Sequence, residues 1–235
     1  MALSAPLYYL KRKARLLSRK LNIPLHEALD CVAREEGFMS WSLLSDRVAT
    51  ATEFEVLDRF RPGDLVLIGA RPGQGKTMTG LHLAVTAARQ GRSSTFFTLA
   101  YSTEEVDERL RRLGVHREDF GQLFELHVSD GINADYIVQA LALAPEGSVA
   151  VVDYLQALDH RRTNPDILMQ VRSIREMAKS RGVIIAFISQ IDHSFDASGK
   201  SLPDLADIRL PNPLDLDLFD QSLFMHKGQM RLSAA

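Results

Sequence analysis

From residue 64 to residue 78 the chain reads Asp-Leu-Val-Leu-Ile-Gly-Ala-Arg-Pro-Gly-Gln-Gly-Lys-Thr-Met, an apolar run that breaks into a glycine-rich turn and then into helix-forming residues. A run this apolar fits a strand covered on both faces, which requires layers above and below it. Gly73 and Gly75 allow the backbone to turn its N–H groups inward, and a helix opening at Lys76 points its positive end at the same spot. Lys76 adds a full charge, and Thr77 offers a hydroxyl of the kind that holds Mg²⁺. Counted back from Lys76, the octet is Ala70-x-x-x-x-Gly75-Lys76-Thr77, a phosphate-binding P-loop relaxed at its first position. The candidate nucleotide-binding residues are therefore Arg71, Pro72, Gly73, Gln74, Gly75, Lys76, Thr77 and Met78, with Lys76 also a candidate catalytic residue.

The rest of the chain agrees with a layered α/β fold. From Arg61 onward, short β-branched or aromatic runs alternate with longer amphipathic stretches. Strands are expected at Asp64 to Ala70, Ser94 to Leu99, Gln122 to Val128, Ser148 to Asp153 and Val183 to Ser189. Helices are expected at Lys76 to Gln90, Thr103 to Leu113, Ala134 to Leu143 and Pro165 to Arg181. Two weaker strands, Leu218 to His226 and Met230 to Ser233, flank Lys227-Gly228-Gln229 as a hairpin.

Residues 1 to 50 follow a different rhythm. Leu10, Ala14, Leu17 and Leu21 form one helical stripe and Leu25, Ala28, Leu29, Val32 and Ala33 a second, with Gly37 placed to stop the helix. Ser40 can cap a third short helix carrying Trp41, Leu43 and Leu44. So short a segment buries little alone and is expected to dock elsewhere. The expected organisation is a helical module over 1–50 and a nucleotide-binding domain over 51–235.

In an open α/β sheet, ligands bind beyond the carboxyl ends of the strands. Asp153 closes the run Val149-Ala-Val-Val152, and Gln190 follows the run ending at Ser189. Both fall on the rim of the P-loop. A strand-end aspartate alone equally suits a turn, but beside a P-loop Asp153 becomes the candidate Mg²⁺ residue with Thr77, and Gln190 a candidate catalytic group sensing the terminal phosphate. The implied cofactors are ATP and Mg²⁺.

Taken together, Arg61 to Pro72, the run Val151-Val-Asp-Tyr-Leu-Gln156 and Ile188-Ser-Gln190 resemble the ATPase domain of DnaB-type replicative helicases, within the RecA-like P-loop superfamily. Asp204 to Arg209 followed by Leu218 to Phe224 is similar to that family's later strands, so the resemblance runs from about Ala51 to Phe224. It implies a RecA-like core, mainly parallel and flanked by helices, a homo-oligomer, and single-stranded DNA held by the loops after the Asp153 and Gln190 strands. In those loops stand Arg161, Arg162 and Lys200.

The chain departs from the family in three places. Where the family has Ser-Leu-Glu-Met, with a Glu that activates the attacking water, this chain has Thr98-Leu99-Ala100-Tyr101. Alanine accepts no proton, and losing a positioned base costs about 10² to 10⁴ in rate. Glu104 and Glu105 are the nearest substitutes, although Ser102-Thr-Glu-Glu105 also reads as a capping box, the preferred reading. The family's terminal Lys-x-Arg pair, which reaches a neighbour's nucleotide, is not matched by Lys227 and Arg231, and residues 1 to 50 do not resemble the family's larger helical domain. Two functions stay open: a weak ATPase of the helicase type, or a module in which ATP fixes assembly or partner binding without turnover.

Composition narrows the partners. Lys+Arg 28 against Asp+Glu 30 gives a net charge of -2, so no global field marks a polyanion partner. The exception is local: Lys11, Arg12, Lys13, Arg15, Arg19 and Lys20 lie in a stretch with no acid, which reads either as a salt-sensitive nucleic-acid surface or as a solvated helix face. Seven dispersed histidines show no zinc spacing. Nothing has the length of a membrane span, and a single cysteine, Cys31, with no apolar leader reads as cytoplasmic.

Overall fold

The computed structural model describes residues 7–44, 56–159 and 164–234, and these fall into two compact units, Met1–Glu55 and Val56–Ala235. The boundary expected between residues 50 and 51 lies outside the described residues.

In the first unit, helix α1 (Leu7–Leu21) lies against helix α2 (Leu25–Glu35). The expected stripes meet in part: Leu10 and Ala14 are buried with Ala28, Val32, Ala33 and Leu44, and Leu17 and Leu29 pack against them, whereas Leu21 and Leu25, beside the turn, stay exposed. Gly37 adopts φ +85, and the Phe38 N–H returns to the Ala33 carbonyl at 2.9 Å, ending α2 as a left-handed glycine does. Ser40 accepts from the Leu43 N–H at 3.3 Å and opens a helical turn over 41–44.

The second unit is a seven-stranded sheet. Its elements in chain order are β1 (Leu65–Ala70), α3 (Lys76–Arg89), β2 (Ser94–Thr98), α4 (Thr103–Arg112), β3 (Phe124–Val128), α5 (Ala134–Ala140), β4 (Val149–Asp153), α6 (Ile167–Arg181), β5 (Ile184–Gln190), β6 (Gln221–His226) and β7 (Gln229–Ala234). The strand order is β3-β2-β4-β5-β1-β6-β7, with every neighbouring pair parallel except the β6–β7 hairpin. This is the mainly parallel, helix-flanked architecture expected of a RecA-like core.

All residues of β1, β2 and β4 are buried, because both faces of the sheet are covered. On one face α3 and α4 share a core with Val66, Ile68, Val151 and Ile188; on the other α5 and α6 pack with Leu67, Val152, Ile185 and Phe187. Gly80 lets α3 sit close: a Cβ there would lie 2.7 Å from Ile188 Cδ1 and 2.9 Å from Val151 Cγ1. Parallel pairing then fixes the rim, since Ala70 is level with Gln190 and Asp153 with Ile188.

Strand β6 begins at Gln221, later than the expected Leu218. Leu216–Leu218 instead forms a 3-10 turn, and Asp220 is drawn out of the strand to accept from the Leu65 N–H at 2.9 Å. Arg175 and Lys179 of α6 each reach Asp220 at 3.1 Å, locking the start of β6 to β1.

Candidate functional site

The turn from β1 into α3 is built by two left-handed glycines, Gly73 (φ +75) and Gly75 (φ +91). Gly75 is the N-cap of α3 and supplies no side-chain cap, so the first N–H groups of the helix have no side chain closing them. Open space lies where a Cβ would stand at either glycine. The result is an anion nest at a positive helix end.

Thr77 and Asp153 meet beneath the nest. The Thr77 hydroxyl donates to the Asp153 carboxylate, which is only 2% exposed at the end of β4. Burial pushes the Asp153 carboxyl above its ordinary range, against the Thr77 hydrogen bond and the charges of Lys76 and Arg109. Asp153 Oδ2 is buried with no hydrogen-bond partner among the described residues. An orphaned acidic oxygen beside a threonine hydroxyl and a lysine fits a hydrated Mg²⁺ carried in with phosphate, which would supply the missing partner.

The other P-loop side chains divide. The Arg71 guanidinium points along the rim to Asp196, with Nε 3.1 Å from Oδ1 and Nη2 2.7 Å from Oδ2, and donates to the Ile191 carbonyl at 3.0 Å. Gln74 accepts from the Lys227 N–H at 2.7 Å, which brings the tip of the β6–β7 hairpin against the loop. Met78 packs toward the core under α3, and Pro72 is exposed.

At the end of β2, Ala100 is exposed, with its N–H held by the Thr98 hydroxyl at 3.2 Å. The capping box is present: Glu105 accepts from the Ser102 N–H at 2.9 Å and donates its own N–H to Ser102 Oγ at 3.3 Å. Glu104 is exposed, its carboxyl held below the usual range first by its own backbone N–H and then by Ser102. Both acids are thus occupied at the start of α4. Arg109, one turn further on, lies 3.8 Å over the Tyr101 ring and is close enough for its charge to act on Asp153. Sequence reasoning missed this arginine, because only the fold brings the flank of α4 to the end of β4.

Gln190 occupies the end of β5 as expected, half-buried, its side-chain oxygen 3.4 Å from Arg209 Nη1. Among the residues expected to face DNA, Lys200 is committed within the chain, to Asp204 at 3.0 Å and Asp207 at 2.9 Å. Arg161 and Arg162 lie outside the described residues. Arg231 donates to the Pro203 carbonyl at 2.9 Å. On α1, Lys13 pairs with Glu35, while Lys11, Arg12, Arg15, Arg19 and Lys20 stand exposed without a carboxylate partner among the described residues.

Comparison with known proteins gives concordant matches. Residues 50–118 match the family described as DnaB-like helicase C terminal domain. The chain is 25% identical over 252 residues to the replicative DNA helicase DnaB of Helicobacter pylori, covering 91% of this chain and 50% of that protein. It is also 25% identical over 191 residues to the DNA repair protein RadA of Escherichia coli, covering 76% and 40%. The chain therefore spans about half the length, or less, of these relatives. A solved DnaB-like replicative helicase, described with its interactions with primase, aligns over 92% of this chain and 66% of that one at 19% identity with a TM-score of 0.60, which bears on the fold. The P-loop, the strand-end aspartate and the sheet order accord with these matches, and the chain is similar to the C-terminal domain of DnaB-type helicases over residues 50–118 and to DnaB proteins over most of its length.

Proposed function

We propose that the chain binds Mg-ATP at the β1–α3 turn, assembles as a homo-oligomer in the cytoplasm, associates with single-stranded DNA, and hydrolyses ATP slowly. The observation that carries the nucleotide reading is the buried, unpartnered Asp153 Oδ2 beside Thr77, under an uncapped helix end. In this reading the backbone of Gly73 to Gly75 cradles the phosphates, Lys76 neutralises the β/γ oxygens, Thr77 and Asp153 hold Mg²⁺, and Gln190 meets the terminal phosphate. The metal, when bound, offsets phosphate charge and polarises the bond to the leaving oxygen. Ala100 leaves the attacking water without a base, which is why turnover is slow.

The DNA part of this reading rests on α1. Its five cations without a carboxylate partner among the described residues supply a surface for a polyanion that Lys200 does not, since Lys200 is already paired. Such binding is sequence-independent and falls steeply with salt.

A second reading is supported by the occupied acids of α4 and by Arg231, which is tied to Pro203 within its own chain. In it, ATP binds and sets the oligomer or a partner contact without being cleaved. Calorimetry with Mg-ATP on wild type and Lys76→Ala, followed by DNA-stimulated phosphate release, tests both. Heat that vanishes in the variant supports the site, turnover above background supports the enzyme, and binding without turnover supports the switch. No heat from the folded wild-type chain refutes the site altogether. Mass in solution with and without Mg-ATP tests the oligomer.

A further inference from the structure

We propose that Gln156 is a positioning residue for Gln190, clamping the end of β5 so that the Gln190 side chain meets the terminal phosphate. This rests on the Mg-ATP reading above and assigns a role to a residue which that reading leaves idle.

Gln156 lies in the 3-10 turn Leu155–Asp159 that follows β4, three residues after Asp153. Its Nε2 donates to Ser189 Oγ at 2.8 Å and to the Arg209 carbonyl at 2.8 Å. Its Oε1 accepts from the Gln190 N–H at 3.4 Å. One primary amide thus joins the last turn of β5 to the 205–209 segment, using both of its donor hydrogens and its acceptor.

The target of the clamp is well defined. Ser189 is fully buried, so Gln156 reaches the last interior residue before the rim. Arg209 returns the contact, its N–H donating to the Gln190 carbonyl at 2.8 Å and its guanidinium approaching Gln190 Oε1 at 3.4 Å. The Asp192 N–H donates to the Asp207 carbonyl at 2.7 Å, and Ile191 bridges Ile208, which continues the same pairing beyond the strand. Gln190 is therefore held from its own backbone, from Arg209 and through Gln156 from the turn carrying on from the metal-site strand. A group that discriminates a phosphate by one hydrogen bond needs its position fixed to a fraction of an ångström, and this amide supplies the tie.

Glutamate at this position keeps the shape and the acceptor but removes both donors, whereas alanine removes the whole amide. The test compares the full-length wild type, Gln156→Glu, Gln156→Ala, Gln190→Ala and the double variant Gln156→Ala/Gln190→Ala. Calorimetry with magnesium and either ADP or a non-hydrolysable ATP analogue gives the preference for the third phosphate as a ratio of dissociation constants.

The expected result is that both Gln156 variants keep ADP affinity within about twofold and lower the triphosphate preference about fivefold, the size of one hydrogen bond. The double variant should lose no more preference than Gln190→Ala alone, because the two residues act in series. A thermal melt establishes that each variant is folded, and should Gln156→Ala unfold, the near-isosteric glutamate carries the comparison. If the Gln156 variants keep the wild-type preference while Gln190→Ala loses it, or if they weaken both nucleotides equally, the clamp is overturned and the nucleotide site stands. If wild type binds both nucleotides without preference, Gln190 is not a sensor and the clamp is overturned while the nucleotide site stands; if wild type binds neither, the underlying reading itself falls.

Discussion

Arg71 grips Asp196 with two parallel hydrogen bonds, Nε to Oδ1 at 3.1 Å and Nη2 to Oδ2 at 2.7 Å, tying the P-loop to the turn after β5. The fork holds the guanidinium along the rim, and the Arg71 side chain retains only 22% of its exposure. An arginine spent in this way adds little direct attraction for phosphate. Arg71→Ala should therefore weaken Mg-ATP binding about threefold, near the yield of one partly exposed ion pair, while Lys76→Ala removes measurable binding. Parallel titration calorimetry of the two variants decides the matter, and equal losses would mean that Arg71 leaves Asp196 to bind the nucleotide.

Gly80 is a place where the helix and the sheet leave no room for a side chain. The methyl of alanine would sit 2.7 Å from Ile188 Cδ1 and 2.9 Å from Val151 Cγ1, both fully buried. Helix propensity favours alanine by about 1 kcal/mol, but overpacking a close-packed interior costs about 1 to 3 kcal/mol. The second effect prevails, so Gly80→Ala should lower the urea midpoint. A midpoint at or above that of wild type would show that α3 shifts freely on β4 and β5.

How much of this was legible in the sequence depends on the distance over which each interaction acts. The P-loop, the strand ends at Asp153 and Gln190 and the Ser102–Glu105 capping box are written in consecutive residues, because backbone conformation and burial period are local properties. The late start of β6 was not legible, since it depends on Asp220 meeting Leu65, Arg175 and Lys179, none of which lies nearby in the chain. The same holds for the pairing of Arg71 with Asp196 and for the placing of Arg109 by Tyr101 and Asp153. Lys200 shows the reverse error. Read alone it is a loop charge free for DNA, but its neighbours Asp204 and Asp207 fold back on it.

Asp220 should make the β1–β6 junction sensitive to acid. Partial burial raises its pKa, but the Leu65 N–H, Lys179 and Arg175 together outweigh this, and the carboxyl is held below its ordinary value. A group depressed in the folded state contributes stability that is full above its unfolded pKa of about 4 and is lost as pH falls through the lower folded value. Urea midpoints of wild type should thus decline below about pH 4 more steeply than those of Asp220→Asn. Parallel curves for the two proteins would remove Asp220 from the acid response.

Ala100 gives the sharpest test of the missing base. The residue is exposed at the end of β2, and the Leu99 N–H beside it donates to the Asp153 carbonyl at 3.2 Å, so a side chain projecting from position 100 starts close to the end of β4. Glu104 and Glu105 do not take its place, since both serve the start of α4. A carboxylate introduced by Ala100→Glu can accept the proton of an attacking water, and a positioned base is worth about 10² to 10⁴ in rate. Phosphate release at saturating Mg-ATP should therefore rise by about two orders of magnitude with little change in nucleotide affinity, because a base acts on the transition state and leaves ground-state binding alone. Exposure of position 100 makes the substitution tolerable for folding, and a thermal melt verifies that. A folded variant that binds Mg-ATP as wild type does and is no faster would locate the deficit elsewhere.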